Sequence, residues 1–134
     1  RIMNIIAGII VVLFGLGLIG FAVLIVVKRQ FAEKFLKQFA SSAQAHYTEQ
    51  FLRMLAGSAI LIFSSSMWYS ELFRIFGWVM VVTTFGLLLM PWQWHHRFAE
   101  KVIPTVIRFI SIYGVASFAL GAFVLYGASR FVSQ

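Results

Sequence analysis

The run from Ile5 to Val27, IIAGIIVVLFGLGLIGFAVLIVV, carries no charge over 23 residues. As a helix rising about 1.5 Å per residue it is longer than the roughly 30 Å hydrocarbon core of a bilayer, so it can span one. It ends at VVKRQF, with cations where a signal peptide would have a small-residue cleavage site. The run is therefore expected to remain as a membrane anchor. Arg1 is not an initiator methionine, which leaves open a segment before it.

Three further runs follow. Met54 to Ser70 is uncharged for 17 residues, Ile75 to Met90 for 16 before Pro91, and Phe109 to Ser129 for 21. The first two are near the short limit for a span and need their flanks. Between them, SSSMWYSELFR reads as a tight polar turn whose Trp68 and Tyr69 are interfacial aromatics, making a helical hairpin. The composition agrees: 61% of residues are hydrophobic and 11% charged, with no aspartate, against about a quarter charged in a soluble protein. The expected fold is an all-α membrane protein with four transmembrane helices in a single integral membrane domain, residues 1–134. The spans fall at about 5–27, 52–69, 73–91 and 106–128.

Four spans place the N-terminus, the turn near Glu71 and the C-terminus on one side. The connections Lys28 to Arg53 and Trp92 to Arg108 lie on the other. That second side holds Lys28, Arg29, Lys34, Lys37, Arg53, Arg97, Lys101 and Arg108, against Arg1, Arg74 and Arg130 on the first. The basic residues mark it as cytoplasmic, with both termini outside. The net charge of +7 flanks the apolar runs instead of covering one face, so no nucleic-acid partner is expected. In style, though not in motif, the chain resembles small bacterial inner-membrane proteins. The bacterial inner (plasma) membrane, with periplasmic termini, is the expected location.

The connection over about 28–50 is too polar to span and too periodic to be loose. Phe31, Phe35 and Phe39 recur every fourth residue, while Glu33, Lys34 and Lys37 occupy the opposite side of a helical wheel. This is an amphipathic cytoplasmic helix. It either lies among lipid headgroups, phenylalanines buried and lysines on anionic lipid, or runs straight on from the first span, since no Pro or Gly interrupts Phe21 to Phe39. In the second arrangement Ser41 and Ser42 turn the chain back into a helical hairpin, and a second helix from about Ala43 feeds into the second span.

All three histidines and three of the four glutamates fall on the cytoplasmic side. His46, Glu49 and Arg53 stand at i, i+3 and i+7, and His96 and Glu100 at i and i+4, each set on one helix face. Should the two connections pack together, His46, Glu49, His96 and Glu100 supply imidazole and carboxylate ligands of the kind that suits zinc, iron or manganese. The plainer alternative for Glu49 and Arg53 is a helix salt bridge. For PWQWHHRF it is a membrane exit: Trp92 and Trp94 anchor it, Pro91 ends or kinks the helix, and His95 meets water and phosphate. No histidine sits at mid-span, where a bis-histidine haem would need one, and the spans contain no acid and no lysine of the kind coupled transporters use. With no cysteine there is no thiolate chemistry. No cofactor is expected.

Small residues are the positive signal. Gly114, Ser117 and Gly121 follow helical spacing in the fourth run, Gly15, Gly17 and Gly20 stud the first, and Gly57 lies in the second. Such residues let helices approach closely, within the bundle or against another protein. The functional expectation is a non-enzymatic accessory, structural or assembly subunit of a larger membrane complex. It would act by helix packing and contact with lipid and with other subunits or copies of itself. The alternatives are a homo-oligomeric channel or transporter, and a membrane enzyme or redox subunit with a cytoplasmic-edge metal or quinone site.

Overall fold

The computed structural model describes residues 2–38 and 42–133, and these are almost wholly helical. The helices are α1 (Ile2–Val27), α2 (Arg29–Gln38), α3 (Ala43–Phe63), α4 (Ser70–Leu89), α5 (Trp92–Arg108) and α6 (Ile110–Ser133). A 3-10 turn, Ser64–Ser66, follows α3. Among the described residues, three helices are long and apolar enough to cross a membrane: α1, α4 and α6. The chain is a helical integral membrane protein. Helix α3 falls outside that set because its first half, AQAHYTEQFLR, is polar.

Helices α1 and α6 pack most closely, through small residues. A Cβ on Gly121 would lie 2.7 Å from the Gly15 carbonyl oxygen, a distance that real Cβ contacts essentially never show, and Ser117 donates to the Leu18 carbonyl at 2.7 Å. Gly114 receives Ile25 in the same interface. Helix α3 lies between α1 and α4: Phe63 packs over Gly8, Met80 and Val81 over Gly57, and Leu61 over Gly77. Gly17 and Gly20, grouped by sequence with the other small residues, lie on another side of α1 with nothing within 4 Å of the position a Cβ would take. At about 100° per residue, Gly17 points some 200° away from Gly15, so both cannot face α6.

The end that holds the α3–α4 turn is tightly closed. Val11, Ile60, Phe63, Met67, Phe73 and Val124 form its core, and Phe73 stacks on Phe123 at 5.0 Å. Asn4 donates to Ser66 Oγ, the Trp68 amide to the Gly127 carbonyl, and Arg130 to the Met67 carbonyl, so the turn is bound to the start of α1 and the end of α6. Tyr69, at φ 58°, is the one non-glycine residue with positive φ among those described; its ring rests 5.6 Å from Phe123.

At the opposite end the amphipathic segment does not run straight on from α1. The Phe21 and Phe35 rings are 6.0 Å apart, whereas 14 residues of straight helix would separate them by about 21 Å. The chain bends at Lys28, and Ala32 is buried with Ile25 and Ile110. That burial is what the straight arrangement would forgo. Phe31, Lys34 and Lys37 are exposed on α2; Phe39 and Ser41 lie outside the described residues. The connection after α4 is a helix in its own right. Pro91, extended at ψ 140°, separates α4 from α5, and a second break at Phe109 separates α5 from α6.

Candidate functional site

The amphipathic ends of α3 and α5 meet. Ser42 caps α3, its side chain accepting from the Ala45 amide at 3.1 Å. From this start, helical periodicity sets His46, Glu49, Gln50 and Arg53 along one stripe. His46 and Gln50 are completely buried. Across from them, the first turn of α5 brings His95 so that the two Nδ1 atoms are 2.7 Å apart, with the rings edge to face at 4.8 Å. One ring donates and the other accepts, so at least one imidazole is neutral. Burial holds His95 below its ordinary pKa; Glu49 opposes that shift, and His46 and Arg53 add to it.

The remaining polar groups are incompletely satisfied. Glu49 and Arg53 approach to 3.7 Å, beyond hydrogen-bonding distance. His46 Nε2, Glu49 Oε2, Arg53 Nε and both polar atoms of Gln50 are buried without a hydrogen-bond partner. Such groups cost free energy unless something completes them.

Glu49 and Arg53 also line a groove of about 1060 Å³ bounded by α1, α2, α3 and α4. Its wall carries Ser42, Gln44 and Thr48 towards one end and Phe14, Leu18, Phe76, Val79 and Met80 along the other. Leu18 lies ten residues, about 15 Å, before Lys28 at the end of α1. Phe63 packs over Gly8, and Leu18 and Arg53 each lie ten residues from that contact towards the open end, so Arg53 stands beside the middle of the α1 span.

The residues singled out by sequence are distributed as follows. The four prospective metal ligands do not converge: His46 pairs with His95, Glu49 with Arg53, and His96 Nε2 with Glu100 Oε1 at 2.8 Å. Among the described residues no group of three or more His, Cys, Asp or Glu is arranged to hold a metal ion. The two faces are on different helices, and the turn after Pro91 aims His95, not His96, at α3. Trp92 lies 5.9 Å from the His96 ring and Trp94 is exposed. Trp68 is half exposed with the Arg130 guanidinium over its ring. Sequence reasoning overlooked Gln50 and treated His95 as a headgroup contact; the i, i+4 spacing that leaves residue 50 on the same stripe as residue 46 was the signal for Gln50, and no local pattern marked His95.

Comparison of the chain with protein-family models, with curated proteins and with solved structures finds no match.

Proposed function

We propose that this is a non-enzymatic membrane protein that crosses the bilayer four times and acts by lateral contact, as an accessory or assembly subunit of a larger membrane complex. Connectivity supports the fourth crossing. The Asn4, Gly127 and Arg130 contacts hold the α3–α4 turn beside the start of α1 and the end of α6, while the His46–His95 pair belongs to the opposite end. Helix α3 joins those ends, and its 21 residues reach about 31 Å. His46 and Gln50 of its polar stripe are buried against protein, which is how polar residues are accommodated in a bilayer helix. The basic residues of α2 and α5 gather at one end; the positive-inside rule then makes that end cytoplasmic and both termini external, in an inner or plasma membrane.

The observation that carries the subunit reading is the outward face of α1. Gly17 and Gly20 stand there with open space in front of them, although the interface with α6 is already served by Gly15. Lipid gains nothing from small residues, whereas a neighbouring helix does. Purification in mild detergent followed by native mass spectrometry tests this. A defined partner, either another subunit or a second copy, is expected with the wild type and is expected to be lost in Gly17→Leu/Gly20→Leu while the fold is retained. A bare monomer in every mild detergent would remove the reading.

A further inference from the structure

Helix α5 cannot project from the end opposite the α3–α4 turn. Helix α4 runs up to that end and α6 starts back from it, since the turn and the end of α6 are bound together at the closed end. The 20 residues of α4 reach about 30 Å, the thickness of the hydrocarbon core, so its last turn lies at the headgroup layer. Met90 and Pro91 join α5 to α4 and Phe109 joins it to α6, so 17 residues of helix, about 25 Å, lie across the ends of the spans. Its inward side carries His95 against α3 and the buried Ala99. At about 100° per residue, Trp94, Arg97, Phe98, Lys101 and Arg108 fall within about 100° of one another on the other side, and all five are exposed. That face mixes what water and hydrocarbon each reject. Trp94 and Phe98, 59% and 61% exposed, gain by leaving water, while the cations between them are costly in the acyl core. The boundary between headgroups and acyl chains accommodates both. Among the described residues Arg97 and Lys101 are in no ion pair. The neighbouring acid, Glu100, is held by His96 at 2.8 Å, and Lys37 of α2 lines the cleft beside it. Helix α2 repeats the arrangement, with Phe31 and Lys34 exposed one turn apart.

We infer that α5 lies in the headgroup layer and holds anionic phospholipid, its Trp94 and Phe98 rings among the upper acyl chains and its Arg97 and Lys101 on phosphate. Four cations between Lys28 and Gln38 and three on α5 stand against one glutamate in each, so the surface selects net negative headgroups over zwitterionic ones. A soluble acidic segment would meet the cations and leave the rings between them in water. Lipid answers both. The proposal rests on the open end lying at a membrane face and is independent of the subunit reading, which rests on Gly17 and Gly20.

The test uses the whole protein in mild detergent, titrated with phosphatidylglycerol and with phosphatidylcholine, with bound lipid counted by native mass spectrometry. Phosphatidylglycerol is expected to be retained about tenfold better. Arg97→Gln/Lys101→Gln is expected to lower its retention about tenfold and to leave phosphatidylcholine unchanged, since each cation near an anionic surface contributes about fivefold. In vesicles, a fluorophore on Phe98→Cys, in a chain with no cysteine of its own, is expected to be quenched by lipids labelled high on the acyl chain and not by lipids labelled at its end. The comparison of the two lipids needs no variant, so misfolding of a substituted protein leaves it decisive. Equal retention of both lipids by the wild type, an undiminished preference in a folded Arg97→Gln/Lys101→Gln, or a label at position 98 quenched from water alone would overturn the proposal. Binding of polyglutamate by a wild type without lipid preference would overturn it in favour of an acidic protein partner.

Discussion

His95 is the side chain whose charge state the fold most clearly disturbs. Its pKa lies below the ordinary value of 6.5, chiefly through burial, with His46 and Arg53 acting in the same direction and Glu49 against them. A basic group with a depressed pKa takes up its proton more readily in the unfolded chain. Stability should then be complete above about pH 6.5 and decline as pH falls from there through the folded value. Thermal unfolding in detergent between pH 8 and pH 5 checks this: the midpoint should drop in the wild type and drop less in His95→Gln. Gln50 makes a second residue-scale prediction. Its amide is fully buried and neither polar atom has a partner, so Gln50→Met, similar in volume, should stabilise the protein by about 1–3 kcal/mol. A fall in the unfolding midpoint would show that the amide is bonded after all. The His46, Glu49 and Arg53 stripe is legible in the sequence because helical periodicity is local. Which histidine meets His46 is not, since 49 residues separate His46 from His95 and the choice depends on how α5 leaves Pro91.

At the scale of elements, the α1–α6 seam is where geometry leaves least room. A methyl at Gly121 meets backbone oxygen, not a yielding side-chain tip, so Gly121→Ala should force the helices apart and cost about 1–3 kcal/mol. Gly17→Ala, with open space before it, should be close to neutral for the isolated protein. Denaturant titration of both variants in the same detergent separates the two, and equal losses would mean that the seam is looser than drawn. Apolar run length makes α1 and α4 visible in the sequence, because composition alone sets whether a helix suits the bilayer. It makes α6 visible as well, since the run Phe109 to Ser129 begins one residue before the helix Ile110–Ser133, at the break that separates it from α5. It hides α3. The Met54–Ser70 run is α-helical only to Phe63, while the helix extends back to Ala43 through a polar segment in which His46 pairs with His95 of α5.

For the molecule as a whole, the closed end and the open end differ in chemistry as well as packing. The closed end joins aromatic rings around Phe73 and Phe123 and ties the α3–α4 turn to both termini. The open end carries α2, α5 and most of the basic residues, with the groove leading from it along α3. Because α1 and α4 both start at the closed end and run to the open one, the order of elements obliges α3 to carry the chain back from the open end to the closed one. Four crossings then put Lys34 on the opposite side from Ser133 and on the same side as Arg97. Single cysteines at these three exposed positions, in a chain that has none of its own, make the expectation measurable. In cells, an impermeant thiol reagent should modify Ser133→Cys, and Lys34→Cys and Arg97→Cys only after the membrane is opened. Labelling of Lys34→Cys and Arg97→Cys alone would keep four crossings and reverse the orientation. Labelling that separates position 34 from position 97 would mean that α3 returns to the side it started from, and the crossing count would then be three.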